Sequence, residues 1–218
     1  MKQIDITFLE FASVQPDLDE VSVRLCSLGE KNRIDVVNWE KFPYKPLVTF
    51  TPGYTARELL IRFDVTEENF RAEKTRTNDN VFEDSCVEFF FSPADDGIYY
   101  NLEFNGIGTC LVGMGASRSD RIRIDPVIAE TIRRKSTAGK DPISEINGSF
   151  SWTLVAAIPW SVFYKHNTGI AEGKLFRANF YKCGDKLKIP HYLTWNPVPT
   201  EKPDFHRPEY FGAIRLGG

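Results

Sequence analysis

The chain has 218 residues, enough for one large domain with a sizeable core, and residues 1–218 are read as a single unit without repeats or long linkers. Its 27 basic and 30 acidic residues leave a formal charge of −3, which argues against nucleic acid as the main partner, since phosphate binding needs a basic excess gathered on one face. No stretch approaches the ~20 apolar residues of a membrane span, and the opening MKQIDITFLEF alternates polar and apolar residues instead of showing a signal peptide's apolar core. The chain therefore reads as unexported as written, with its compartment left open. Cys26, Cys86, Cys110 and Cys183 lie far apart and form no CxxC, so spacing offers no zinc or dithiol motif and buried free thiols are expected.

In chain order, short β-type runs separated by turn residues occupy 4–11, 21–28, 47–50, 59–65, 86–92, 99–112, 150–158, 176–183, 192–195 and 211–216. One segment, 125–134, predicts a short inserted helix: Asp125 is a cap, Pro126 suits the first turn, Ile128 and Ile132 share a face, and Glu130 can pair with Arg134. A further helical turn is expected at 159–163. The pattern predicts an all-β fold, an antiparallel, jelly-roll-like β-sandwich of two packed sheets.

Side-chain alternation locates candidate functional faces, because residues i and i+2 of a strand share a side. Leu102 and Phe104 point one way while Asn101, Glu103 and Asn105 point the other. Ala178 and Phe180 oppose Arg177, Asn179 and Tyr181, and Val87, Phe89 and Phe91 leave Glu88 on the far side. If the three polar faces share one sheet, they form a surface of planar hydrogen-bonding groups in aromatic surroundings. Outward sheet faces are commonly polar for solvation alone. Asn is a poor strand former, however, so Asn101, Asn105 and Asn179 call for a reason, and bonding a hydroxylated ligand is one. Phe, Tyr and Trp make up 13% of the chain, which suits pleated sheets and also flat ligands such as sugars.

The run FEDSCVEFFF at 82–91, YYNLEFNG at 99–106, Trp152 leading into AIPW at 157–160, and Phe211-Gly212 together resemble the family 9 carbohydrate-binding modules, related to the DOMON-like sandwiches. The likeness runs from about Trp39 to the C-terminus. It implies non-catalytic binding of an oligo- or polysaccharide of glucan or xylan type, gripped between two aromatic side chains. Carried onto this chain, one clamp position falls on Phe82, six residues before Glu88, and the other on Trp195. Hydroxyl-binding positions fall on Glu88 and Asn105, with Glu103 where the family carries a base. Phe82 in place of Trp is a second departure. Related modules also hold structural calcium, for which the turn residues Asp95 and Asp96 are the candidates here, although the sugar reading requires no cofactor.

Trp39 either lines a cleft or plugs one end of the sandwich, whereas Trp152 and Trp160 read as core or rim. His206 reads as a structural hydrogen-bonding residue in a polar loop, and His166 and His191 carry no distinct signal. Glu88, Glu103 and Asp84 raise an alternative, a carboxylate-dependent glycoside hydrolase, which needs two carboxyl groups about 5–9.5 Å apart. Acting beside a separate glycoside hydrolase is a further expectation. A haem-binding sandwich would need an axial His or Met, and Met114 in a Gly-rich bend suits that poorly.

Overall fold

The computed structural model describes residues 1–29, 31–166, 168 and 170–218. In chain order these form β1 (Gln3–Phe8), α1 (Leu18–Ser27), β2 (Asn32–Arg33), β3 (Val36–Val37), β4 (Leu47–Tyr54), β5 (Glu58–Ala72) and β6 (Cys86–Ser92). They continue with β7 (Tyr99–Asn105), β8 (Cys110–Gly115), β9 (Ile122–Arg123), α2 (Pro126–Ala129), β10 (Arg133–Ser136), β11 (Ile143–Pro159), β12 (Leu175–Cys183), β13 (Tyr192–Thr194) and β14 (Gly212–Leu216). The expected turn at 159–163 is a 3₁₀ segment, Trp160–Phe163.

The strands join in one sheet of order β10-β11-β5-β4-β1-β14-β12-β6-β7-β8-β9, with β13 on β12 and β2 on β4. β1 is the bend. Its first half, Gln3 to Ile6, pairs in parallel with Ala213 to Leu216, and Thr7 and Phe8 pair in parallel with Gly53 and Tyr54. The halves on either side of β1 curl to face each other, and Phe50 of β4 stacks on Phe180 of β12 with centroids 3.8 Å apart. The fold is thus mainly β as expected, but its sheet is mixed and not antiparallel throughout. Alternation reports which face a residue takes, not the direction of its neighbours, and the parallel pairs at β1 join segments that no hairpin links.

Three further expectations change. Residues 21–28, read as a strand, belong to helix α1: Val21 and Leu25 are fully buried one helical turn apart, while Val23 is 67% exposed. Asp17 caps this helix by accepting the Asp19 amide at 2.7 Å, and its apolar side packs with Leu9, Leu60 and Val155 outside the β4–β5–β11 half. The helix expected at 125–134 stops after Ala129. Asp125 does cap it and Arg134 does reach Glu130 at 3.0 Å, but Arg133 to Ser136 pair with β11. The expected strand 99–112 is a hairpin, β7–β8, closed by the Thr109 amide donating to Asn105 Oδ1 at 2.9 Å.

Most of the interior is aliphatic and aromatic, yet one ion pair lies within it. Lys182 Nζ of β12 lies 2.9 Å from Glu67 Oε2 of β5 as an ion pair, and both side chains are fully buried. Lys182 also donates to His191 Nε2 at 2.8 Å and to the Cys183 carbonyl at 2.9 Å, while Trp152 donates to Glu67 Oε1 at 2.7 Å. Burial and the ammonium hold His191 far below its ordinary pKa, so its ring is neutral and Nδ1 donates to the Ile189 carbonyl at 3.1 Å. Removing one partner strands a buried charge: Lys182→Met is expected to cost about 3–5 kcal/mol in urea unfolding. Adding Glu67→Gln, which keeps an acceptor for Trp152, should recover part of that loss. A single variant as stable as the parent would refute this account.

Candidate functional site

β12, β6 and β7 are adjacent, and their register sets three rows on the side away from the main core. Cys183 lies opposite Cys86 and Cys86 opposite Asn105; Tyr181, Glu88 and Glu103 form the next row; Asn179, Phe90 and Asn101 form the third. The three polar faces inferred from alternation therefore share one surface. Loops carrying Trp39, Val198, Phe205 and Phe211 cover much of it, packing on Phe90, Tyr99 and Tyr181 as a second apolar cluster. What stays open is a cleft of about 260 Å³ at the Cys183–Glu88–Glu103 end. Phe42, Phe82, Tyr192 and Phe205 wall it, and Arg118, Arg121, Asp185, Asp204 and His206 bring charged and polar groups.

Of the eight residues singled out from the sequence, Phe82, Glu88 and Glu103 line this cleft. Asn101 is buried beside it and donates to Glu103 Oε1 at 2.8 Å. Its space depends on Gly113 directly opposite, where a β-carbon would come 2.4 Å from Asn101 Oδ1. Asn105 is consumed by the fold: its amide donates to Asp84 Oδ2 at 2.9 Å and to the Lys74 carbonyl at 2.8 Å. The same Asp84 oxygen accepts the Glu73 and Lys74 amides, so this carboxylate fastens the end of β5. Asn179 binds the covering loop through Asn196, accepting its amide at 2.9 Å and donating to its carbonyl at 3.1 Å. Arg177 donates to the Phe211 carbonyl at 2.7 Å.

Trp195 lies elsewhere. It is 2% exposed in the main core, edge-on to Phe50 and Phe180, and it fits because Gly212 has no β-carbon to meet its ring. Trp39 is a plug: its indole donates to the Thr200 carbonyl at 2.8 Å beneath the covering loops. Asp96 accepts the Ile98 amide on one oxygen at 3.0 Å and pairs with His166 Nε2 through the other at 2.9 Å, as a turn residue does. Sequence reasoning missed Phe42, Arg118, Arg121 and Asp185, which arrive from loops with no periodicity, and Tyr192, whose strand β13 it expected but whose place in the cleft it did not.

The floor is electrostatically unusual. Glu88 and Glu103 are 3% and 2% exposed, and one oxygen of each, Oε2, has no hydrogen-bond partner among the described residues. Burial and the neighbouring carboxyl raise Glu88 well above the ordinary range. Burial also pushes Glu103 up to about 7, against the pull of Arg121, whose Nη1 lies 3.6 Å from Oε1. The other Glu88 oxygen accepts from the Cys183 thiol at 3.1 Å. At the rim, burial pushes Asp185 up to about 6, although Tyr192 donates to it.

The profile described as "Carbohydrate-binding family 9" matches residues 24–216. The chain belongs to carbohydrate-binding family 9. A crystal structure of a candidate carbohydrate-binding protein from Bacteroides uniformis is 39% identical, with a TM-score of 0.94 over 99% of both chains. Two structures of a family 9 carbohydrate-binding module from Caldicellulosiruptor kristjanssonii, one in complex with glucose and one with cellotriose, share the fold at 12% identity. Their TM-scores are 0.57 and 0.60, over 100% of this chain and 96% and 94% of theirs. No curated protein matches the chain.

In this family member His206 is part of the cleft wall. Arg121 Nη1, which can only donate, lies 2.6 Å from Nε2, so the imidazole is neutral there and its Nδ1 proton faces Tyr99 Oη at 2.8 Å. Burial, Arg121 and Arg118 push its pKa down to about 2. Because the folded value lies below the unfolded ~6.5, His206 stabilises fully above that pH, and its contribution fades as pH falls toward 2. Its ring resonances are expected not to titrate between about pH 8 and 5. An NMR midpoint near the unperturbed value would refute the assignment.

Proposed function

We propose that the cleft binds the terminal pyranose of a glucan- or xylan-type chain without cleaving it. The observation that carries this reading is the pair of buried carboxyl oxygens, Glu88 Oε2 and Glu103 Oε2, left without partners on an aromatic-walled floor. Buried polar groups are nearly always satisfied, so these await a ligand, and sugar hydroxyls donate and accept as the site requires. Phe82, Phe42 and Tyr192 offer ring faces to the apolar side of a pyranose. The volume, about 260 Å³, is slightly below the roughly 300–1,000 Å³ of drug-sized sites, which favours one enclosed ring with the rest of the chain outside. The glucose and cellotriose held by the Caldicellulosiruptor module support the choice of ligand class.

In this reading Phe82 stacks, Glu88 and Glu103 bond hydroxyls, and Arg118, Arg121 and Asp185 complete the ring of contacts. Asn101, Asn105, Arg177 and Asn179 hold that floor and its covering loops in place, and Trp195 supports them from the core. The two carboxyls project from neighbouring strands of one wall instead of flanking a bond from two sides, which favours binding over hydrolysis. Such a protein would serve carbohydrate catabolism beside a glycoside hydrolase.

Titration calorimetry with glucose, xylose, cellobiose and xylobiose tests this. Binding to at least one is expected, weakened about tenfold by Phe82→Ala, or about 1.4 kcal/mol, and also weakened by Glu103→Gln. Absence of binding to all four, or full affinity in both variants, would sink the proposal. Release of reducing ends from glucan or xylan by the parent but not by Glu88→Gln would move the assignment to a hydrolase.

A further inference from the structure

Beneath the cleft floor, the first and second rows of the β12–β6 pair bring together two thiols and a carboxyl. Cys86 and Cys183 are directly opposite across the antiparallel pair, and Glu88 is two residues along β6 on the same face. The Cys86 and Cys183 sulfurs and a Glu88 carboxyl oxygen all lie within 4.8 Å of one another, and all three residues are buried. Both cysteines are free. The two thiols hydrogen-bond each other; Cys86 Sγ also lies 3.7 Å from the Val87 carbonyl, and Cys183 Sγ lies 3.7 Å from the Phe82 carbonyl and 3.1 Å from Glu88 Oε1. Independently of the thiols, Glu88 Oε2 is a buried acceptor with no partner.

We propose that Cys86, Cys183 and Glu88 form a binding site for a thiophilic divalent cation, zinc by its chemistry. Two thiolates and one carboxylate are a soft-to-borderline donor set that suits zinc and not calcium or magnesium. Around one tetrahedral zinc, with bonds of ~2.0–2.3 Å, ligand atoms stand roughly 3.3–3.8 Å apart, so the three groups need only side-chain adjustments. The fourth position opens on the cleft, because Cys183 and Glu88 both line it while Cys86 lies behind them. The same opening is the entry path. Binding replaces two S–H bonds and the carboxyl O–H by bonds to the metal and releases three protons to solvent, so two thiolates and one carboxylate surround the dication and the occupied site carries one negative charge. Adjacent strands fix the cysteines without any CxxC spacing, which is why the linear sequence shows no such site.

The test is metal titration of the fully reduced protein, with zinc and with cobalt as a spectroscopic probe. One equivalent of zinc per chain is expected, with protection of two thiols from a thiol reagent and a thiolate-to-cobalt charge-transfer band. Cys86→Ser and Cys183→Ser should each abolish the band while circular dichroism shows the fold intact. Cys26→Ser, which changes an exposed thiol outside the cluster, should keep it. Failure of the reduced parent to retain one equivalent would overturn the proposal, as would equal retention by the Cys183→Ser variant. Since this readout uses no sugar, its outcome is separate from that of the carbohydrate titrations.

Discussion

The ion pair between Lys182 and Glu67 joins Phe176, Ala178 and Phe180 in holding the phase of β12, and the surface on the other side depends on that phase. Neighbouring side chains on a strand take opposite faces, so a Lys182 anchored inward to β5 commits Tyr181 and Cys183 to the outer face. A one-residue slip would carry the lysine outward, strand Glu67 in the core and turn Cys183 away from Glu88. The interior charge pair thus ties the joining of the two halves to the composition of the cleft floor.

Electrostatics explain why that floor suits a neutral, hydroxyl-rich ligand. A buried carboxylate without a partner is costly, and burial accordingly shifts Glu88 and Glu103 upward, toward the neutral carboxyl. A protonated carboxyl donates as well as accepts, whereas Arg118 and Arg121 only donate. The cleft can therefore answer both halves of a hydroxyl group. Neutral His206, with its Nε2 taken by Arg121, adds no charge but fixes the guanidinium near Glu103.

Strand alternation made the polar rows legible, because period-two patterning survives in any sheet that covers one core. Which squares of that grid reach solvent was not legible, since loops distant in sequence decide it. Asn179 and Asn105 do have a reason to sit in strands, but it is the bonding of Asn196, Asp84 and the β7–β8 turn. Trp195 carries the composition of a stacking platform, yet the space left by Gly212 draws it into the core. The segment 21–28 is ambiguous by pattern: Val21, Val23 and Leu25 satisfy a period of two, while Val21, Leu25 and Leu28 satisfy the helical period with Asp17 as cap. Packing on Leu60 of β5 and Val155 of β11 favours the helix.

Glu88 stands where the two chemistries meet. Its unpartnered oxygen can accept from a hydroxyl in the cleft or turn toward the thiols of Cys86 and Cys183, and one carboxyl cannot serve both in full. A cation there would hold Glu88 ionised and draw it down from the floor, leaving Glu103 and Arg121 to meet the ligand. Any resulting change in sugar affinity must be matched by an equal change in metal affinity, because coupling between two bound species is reciprocal. The sign depends on whether the cation's open fourth position offers a bond to a sugar hydroxyl that outweighs the one lost from Glu88.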